Sequence, residues 1–319
     1  MIPSEWLDAA LSRISPHVRR TPLTFDAARG IYFKWDNQQV TGSFKARGAL
    51  NKVLALEPWE RELGLVTASA GNHGQGMALA GQLSGAQVTV FTSEGAPAVK
   101  VEAMRSLGAE VRLVPGGYAE AEAAGLAHAA ETQKTWVSAY NDGQVVAGQG
   151  TLALEILDEL ADDIPQTWLV PVSGGGLISG VGAALQRLSP RPKLIGVQAE
   201  ASPFMHALFR RGSQENVPDL PSLADGLTGA VEAGSITIPL VQKFVDEIIL
   251  VSEDEIARAV AFAWREYGQK IEGSGAVGLA ALLGGKVKTR PVLVVVSGGN
   301  IQPEVHAQIC RRFAGGQRA

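Results

Sequence analysis

The stretch Trp168-Leu-Val-Pro-Val-Ser-Gly-Gly-Gly-Leu177 passes from a continuous apolar run into three consecutive glycines, and a helix-like stretch then continues to Leu188. The same order of apolar run, glycine-rich turn and helix occurs where Leu65–Ala68 leads into Ser69–Gly76. Continuous rather than alternating apolar runs are typical of parallel strands buried on both faces. We therefore expect an α/β fold of mostly parallel sheets flanked by helices.

This alternation extends over the whole chain. The further predicted strands are Ile31–Trp35, Gln87–Phe91, Glu110–Val114, Thr135–Ser138, Lys193–Gln198, Glu247–Val251 and Val292–Val296. The predicted helices include Gly74–Leu83, Ala98–Leu107, Tyr118–Thr132, Thr151–Leu160, Leu177–Leu188, Glu253–Tyr267 and Ser274–Leu283. Segment 200–237 contains three prolines and several glycines, so we expect it to be irregular.

Composition and charge exclude several classes of function. The net charge is −4 and no basic tract is present, so a nucleic-acid partner is not expected. No apolar run is long enough to span a membrane. The N-terminus lacks a signal-peptide core, and the single Cys310 cannot form an internal disulfide, which indicates a cytoplasmic protein. The five histidines are scattered, so no metal site is expected.

Glycine is in excess, with 37 residues where an average composition of about 7% would give roughly 22. One glycine motif, Gly148-Gln-Gly-Thr-Leu-Ala153, matches a dinucleotide-binding fingerprint. That fingerprint needs a full strand before it, and only Val145 and Val146 precede it here. We therefore do not expect it to bind a nucleotide.

Four other glycine-rich segments follow predicted strands or precede predicted helices. Ligands bind at the carboxyl ends of parallel strands, so we expect these segments to form one pocket. In Thr41–Gly48, Lys45 lies among small and apolar residues, where desolvation would lower its pKa and make it a nucleophile or base. Taken alone, a solvated lysine at a helix start is the simpler interpretation.

The remaining segments offer groups that suit anions and a heteroaromatic ring. Backbone N–H groups at the helix starts in Ser69–Gly76 and Val172–Leu177 suit a carboxylate and a phosphate, respectively. Ser297 is a small polar group that could face a ring nitrogen, and Glu272 could line the same pocket. For each of these two, a plain turn or a helix N-cap is the simpler alternative. Together with Lys45, these groups describe a pocket for pyridoxal 5'-phosphate and an amino acid.

Six segments in this order resemble the fold-type II pyridoxal-phosphate enzymes, whose fold is like that of the tryptophan synthase β subunit. More narrowly, the chain resembles the serine/threonine dehydratase family, which includes serine racemase, from about Leu11 to Ile309. The segments are Ser43–Lys45, Ser69–Gly76, Ser173–Leu177, Ala224–Gly226, Glu272–Ala276 and Ser297–Asn300. The resemblance implies two domains, a large cofactor-binding domain of residues 1–64 and 142–319 and a small inserted domain of residues 65–141.

The resemblance also implies roles for individual residues. Lys45, next to Phe44, would form the Schiff base with the cofactor, and Asn72 would contact its ring hydroxyl. Ser297 would face the pyridine nitrogen, with Glu272 on the same wall. The residues that would hold the cofactor phosphate are Ser173, Gly174, Gly175, Gly176 and Leu177. Those that would hold the substrate carboxylate are Ser69, Ala70, Gly71, Asn72 and His73.

The implied reaction is elimination of the β-hydroxyl of an L-β-hydroxy-α-amino acid of the threonine or serine class, which gives a 2-oxo acid and ammonia. Racemases of the family have a second serine where this chain has Ala70, which favours elimination over racemisation. The Ala224–Gly226 and Ser297–Asn300 segments disfavour a β-replacement synthase. The intact Lys45 disfavours a non-catalytic amino-acid sensor. We expect a homo-oligomer, a dimer or larger, since family members usually are.

Two departures from the family pattern bear on the metal and the substrate. Glu200 is retained, but Phe204 and His206 occupy the later positions of the family's divalent-metal site, so no metal is expected. Dehydratases usually have a His-Pro-aromatic run where this chain has Ser138-Ala-Tyr-Asn141. We expect smaller residues there to open the pocket to a bulkier substrate, such as phenylserine, as well as or instead of threonine.

Overall fold

The computed structural model describes residues 2–313, which form two sheets and thirteen α-helices. The strands are β1 (Leu23–Asp26), β2 (Ile31–Trp35), β3 (Leu65–Ala68), β4 (Val88–Ser93), β5 (Glu110–Val114), β6 (Thr135–Trp136), β7 (Thr167–Pro171), β8 (Lys193–Ala199), β9 (Glu247–Val251) and β10 (Val292–Val296). The helices are α1 (Ser4–Ile14), α2 (Lys45–Ala55), α3 (Pro58–Leu63), α4 (Asn72–Ser84), α5 (Ala98–Ser106), α6 (Tyr118–Thr132), α7 (Gly143–Leu160), α8 (Gly176–Leu185), α9 (Phe204–Arg211), α10 (Thr237–Phe244), α11 (Glu253–Tyr267), α12 (Gly273–Leu283) and α13 (Pro303–Arg312).

The larger sheet has the order β1-β2-β10-β7-β8-β9, and the smaller one the order β5-β4-β3-β6. The hairpin of β1 with β2 is antiparallel, and the other paired strands are parallel. Strands β7 and β10 are buried along their whole length, as their continuous apolar sequences predicted. The predicted α/β fold with mostly parallel sheets is confirmed, and β1 is the exception at the edge.

Two apolar clusters cover the two faces of the larger sheet. One contains Trp168 and Ile178 with residues of α1, α7 and α8, and the other contains Leu279 and Val260 from α12 and α11. Within residues 2–313, no helix is both long enough and apolar enough to cross a bilayer.

The smaller sheet contains only strands from segment 65–136, but its core extends beyond that segment. Helix α2 contributes Ala49 and Leu50 to the same cluster as Met77 of α4. The connection between the sheets is therefore a packed one. The division at residues 65 and 141 stays a prediction.

Helix α7 begins eight residues earlier than predicted, because Asp142 caps it by accepting hydrogen bonds from two amides of its first turn. The glycines that argued against a helix allow close packing instead. A Cβ on Gly148 would lie 2.6 Å from the carbonyl oxygen of Arg47, and one on Gly150 would lie 2.7 Å from that of Gly180. The fingerprint-like motif thus lies in a buried helix that packs tightly against α2 and α8.

Two further predicted elements differ in extent. Strand β6 has two residues rather than the predicted four. Segment 200–237 is irregular over most of its length, as expected, but it also contains helix α9.

Candidate active site

The structure brings every predicted site residue to the wall of one cavity of about 280 Å³. The cavity lies between the carboxyl ends of strands from both sheets, where the glycine-rich segments meet, as expected for parallel sheets. These residues are Phe44, Lys45, Ser69, Ala70, Gly71, Asn72, His73, Ser173, Gly174, Gly175, Gly176, Leu177, Glu272 and Ser297.

Lys45 is the first residue of α2, and its position is set from both sides of the cavity. The amide of the preceding Phe44 donates to the carbonyl of Ser297 over 2.9 Å, which ties the start of α2 to the end of β10. Lys45 Nζ donates to the carbonyl of Ala139, also over 2.9 Å. Burial lowers the pKa of this amine from 10.5 to about 8, which agrees with the predicted desolvation. A substantial neutral fraction is therefore present near physiological pH.

The turn before α8 forms a cradle that only glycine can make. Gly175 has φ +85°, and a Cβ there would lie 3.0 Å from side-chain atoms of Thr237 and Val241. Thr237 Oγ1 donates to the carbonyl of Gly174 over 2.6 Å, which holds the turn. Helix α8 begins at Gly176, so the N–H groups of its first turn have no carbonyl partners within the helix and can bind an anion.

Asn72 joins two other cavity segments by side-chain hydrogen bonds. Its Nδ2 donates to Glu272 Oε1 over 2.7 Å, and its Oδ1 accepts from Asn300 Nδ2, also over 2.7 Å. Glu272 is buried, and burial together with the charge of Asp225 raises its pKa to about 7. Glu272 occupies the N-cap position of α12, but its side chain makes no capping bond and reaches Asn72 instead.

His73 is buried at the start of α4, with Nε2 3.4 Å from the carbonyl oxygen of Val137. Burial and the nearby Lys45 ammonium lower its pKa to about 3, so the imidazole is neutral. A neutral donor to a main-chain carbonyl is the structural histidine that the sequence favoured.

Sequence reasoning assigned no role to several side chains of this wall. Lys100, in α5, forms an ion pair with Asp225 across the cavity over 2.7 Å, and Tyr118 lies at the start of α6. Nothing in the local sequence marks these residues, because each stands at an ordinary helix start and reaches the cavity only through the fold.

Tyr140 contradicts part of an expectation about pocket size. Ala139 is small, but the Tyr140 ring lies against Gly174 so closely that a Cβ there would be 2.5 Å from it. The Tyr140 hydroxyl accepts a hydrogen bond from the amide of Glu232 over 2.9 Å. The expectation of smaller residues is therefore wrong at Tyr140, which fills the space over the cradle.

The donor set fits pyridoxal phosphate. Lys45 supplies an amine of lowered pKa for an aldehyde, and the cradle at Gly174–Gly176 has no Cβ to obstruct a phosphate. Ser297 is buried on the cavity wall, and its hydroxyl has no hydrogen-bond partner among residues 2–313, so it is available to a ring nitrogen. These three features lie on the same cavity, as one cofactor would require.

Comparison with known proteins agrees with this fit. Residues 14–298 match the family described as pyridoxal-phosphate dependent enzyme. The chain is 44% identical to an L-threonine ammonia-lyase of Thermotoga maritima over 308 residues, which cover 94% of this chain and 76% of that protein.

Two solved structures extend the comparison to the fold. The threonine deaminase of T.th. superposes with a TM-score of 0.85 at 34% identity and covers 94% of this chain and 98% of its own. Maize serine racemase superposes with a TM-score of 0.89 at 30% identity and covers 97% of each chain. The predicted family resemblance is confirmed, and the chain belongs to the pyridoxal-phosphate-dependent enzymes of fold type II, in the group that contains the threonine ammonia-lyases.

Proposed function

We propose that this protein is an ammonia-lyase that acts on L-threonine and L-serine. The β-hydroxyl leaves as water, and hydrolysis at Cα then releases ammonia and a 2-oxo acid. The observation that carries the proposal is Lys45, a buried amine with a pKa near 8, on the same cavity as the carboxylate-type loop at Ser69–His73. The similarity to the L-threonine ammonia-lyase of Thermotoga maritima supports the same reaction.

Each side chain then has a defined task. Pyridoxal phosphate, when bound, supplies an electron sink for the charge that develops at Cα. The neutral Lys45 Nζ accepts the Cα proton, because its pKa lies close to the working pH. The N–H groups at the start of α4 bind the substrate carboxylate and orient the amino acid. His73, neutral and bonded to a main-chain carbonyl, holds this loop in place.

Racemisation is the second candidate, because serine racemase is among the structural neighbours. It needs a proton donor on the face of Cα opposite Lys45. Ala70 lies on the cavity wall and has no exchangeable proton. We therefore propose that elimination dominates, and that Ala70→Ser raises the ratio of racemisation to elimination.

A finer proposal concerns the substrate side chain. We propose that phenylserine is also accepted, since Tyr118 and Tyr140 on the wall can stack on an aryl group and Ala139 leaves room beside them. Negligible turnover of phenylserine beside fast turnover of threonine and serine would refute this part alone.

One panel assay tests these proposals together. The purified holoenzyme would be given stereoisomers of serine, threonine, phenylserine and hydroxyaspartate, with 2-oxo acid, ammonia and the enantiomer of the substrate measured. We expect 2-oxo acid and ammonia in equal amounts from L-threonine and L-serine. Lys45→Ala should lose both this activity and the yellow cofactor band, and retained activity would overturn the role of Lys45.

We also propose that residues 65–141 form a separate inserted domain, and that the enzyme is a cytoplasmic homo-oligomer. Light scattering on the holoenzyme tests the second point, and a monomeric mass would contradict it.

A further inference from the structure

The hydrogen bonds around Asn72 determine which way its carboxamide faces. Asn300 Nδ2 donates to the main-chain carbonyl of Thr41 over 2.8 Å, and a carbonyl can only accept. The amide nitrogen of Asn300 must therefore point to this side. The same nitrogen lies 2.7 Å from Asn72, so the Asn72 atom that meets it is the acceptor, Oδ1.

The other side of Asn72 leads to the same orientation. With Oδ1 facing Asn300, Asn72 Nδ2 faces Glu272 Oε1 and donates to it over 2.7 Å. The carboxyl group of Glu272 also accepts from the amide of Asn300. These three residues form a closed ring of hydrogen bonds in which each donor and acceptor has one consistent assignment.

Two glycines make room for this ring. A Cβ on Gly42, which has φ +74°, would overlap the Asn300 side-chain oxygen. A Cβ on Gly298 would overlap Glu272 Oε1 in the same way. Both side chains are thus confined by backbone, so neither amide nor carboxylate can turn freely.

One N–H of Asn72 remains uncommitted. The amide nitrogen has two hydrogens, one goes to Glu272, and no other acceptor among residues 2–313 bonds to it. Asn72 lies on the cavity wall, so this N–H is the polar group that it can offer to a ligand, while its oxygen is occupied.

We propose that Glu272 and Asn300 are positioning residues that hold the Asn72 carboxamide in one orientation, so that it offers an N–H donor to the ring oxygen of pyridoxal phosphate. The inference deepens the proposed function and rests on the cofactor lying in this cavity, but on no particular substrate. A donor in this position binds the ring oxygen best in its deprotonated form, so the ring lowers the pH at which that oxygen ionises.

The test compares two replacements of Glu272 in the holoenzyme. Glu272→Gln keeps an acceptor oxygen toward Asn72, whereas Glu272→Met keeps a similar length without an acceptor. We expect Gln to leave the cofactor dissociation constant and absorption spectrum close to wild type. We expect Met to raise the dissociation constant about tenfold, as for the loss of one well-placed hydrogen bond, and to move the spectral transition to higher pH.

A double-mutant cycle separates positioning from general stabilisation. If Glu272 acts through Asn72, then Glu272→Met changes neither the affinity nor the spectrum further in an Asn72→Ala background. Asn300→Ala, at a partly exposed position, should reproduce the spectral change and serves if the Glu272 variants do not fold. A Met variant with the wild-type spectrum, or an effect that persists undiminished without Asn72, would overturn the proposal. Failure of the wild type to turn over threonine or serine would refute the proposed substrate and leave these readouts intact.

Discussion

Replacing Lys45 by methionine should make the cofactor-free protein more stable while abolishing its activity. Lys45 Nζ makes a single hydrogen bond, to the carbonyl of Ala139, and burial is the cause of its lowered pKa. A pKa lowered from 10.5 to about 8 corresponds to a cost of about 3 kcal/mol in the charged folded state, at roughly 1.4 kcal/mol per pKa unit. Loss of the bond to Ala139 returns about 1 kcal/mol of this, so we expect a gain of about 2 kcal/mol.

The gain should depend on pH in a defined direction. The unfolded lysine keeps its ordinary pKa of 10.5, so below pH 8 the cost of the buried charge is fully present. Between pH 8 and 10.5 the folded protein releases this proton while the unfolded chain retains it, and wild-type stability rises relative to the variant. The advantage of the methionine variant should therefore be largest near pH 7 and small at about pH 10.

Urea unfolding of the cofactor-free wild type and variant at about pH 7 and about pH 10 measures this difference. Lys52→Met is the matched control, since Lys52 lies on the same helix but forms an ion pair with Asp142 over 2.9 Å. The control should show no gain at either pH. A Lys45→Met protein that is no more stable than wild type near neutral pH, or equally favoured at both pH values, would refute the reasoning.

Three further predictions follow from the same structure. Gly175→Ala forces a side chain into a left-handed backbone and should cost about 1–3 kcal/mol in urea unfolding and weaken cofactor binding in equilibrium dialysis. Arg47→Met leaves the buried carboxylates of Asp36 and Glu155 without their guanidinium and should cost about 3–5 kcal/mol by the same unfolding assay; a loss below about 1 kcal/mol would contradict it. Lys100→Gln removes an ion pair to an exposed aspartate, so stability should change by less than about 1 kcal/mol. Because Lys100 lies beside the carboxylate loop, its loss should raise KM several-fold at low salt with kcat unchanged, and an unchanged KM would show that it does not attract substrate.

The parts of this protein that the sequence predicted are those set by neighbouring residues. Strands Ile31–Trp35, Leu65–Ala68 and Val292–Val296 were predicted with their observed bounds, because a continuous apolar run marks a strand that is buried on both faces. The helix at Gly143–Leu160 was cut short, because its glycines have low intrinsic helix propensity. Their value lies in close contact with other helices, which the local pattern does not contain.

The candidate site divides in the same way. The residues of the cavity were found from the sequence, because each belongs to a glycine-rich segment at the end of a strand or the start of a helix. The cation Lys100 and its partner Asp225 were not given a role, because the two lie more than a hundred residues apart and meet only across the cavity.

By itself, the sequence determined the parallel α/β architecture, the order of the cofactor-type loops and the lysine among them, since each is written in contiguous residues. The tertiary structure alone decided the chemical state of these groups. The pKa of Lys45 depends on burial beside Ala139, and the orientation of Asn72 depends on Glu272 and Asn300. Electrostatic and hydrogen-bond energies depend on distances between atoms, and those distances are set by packing between segments that are far apart in the chain.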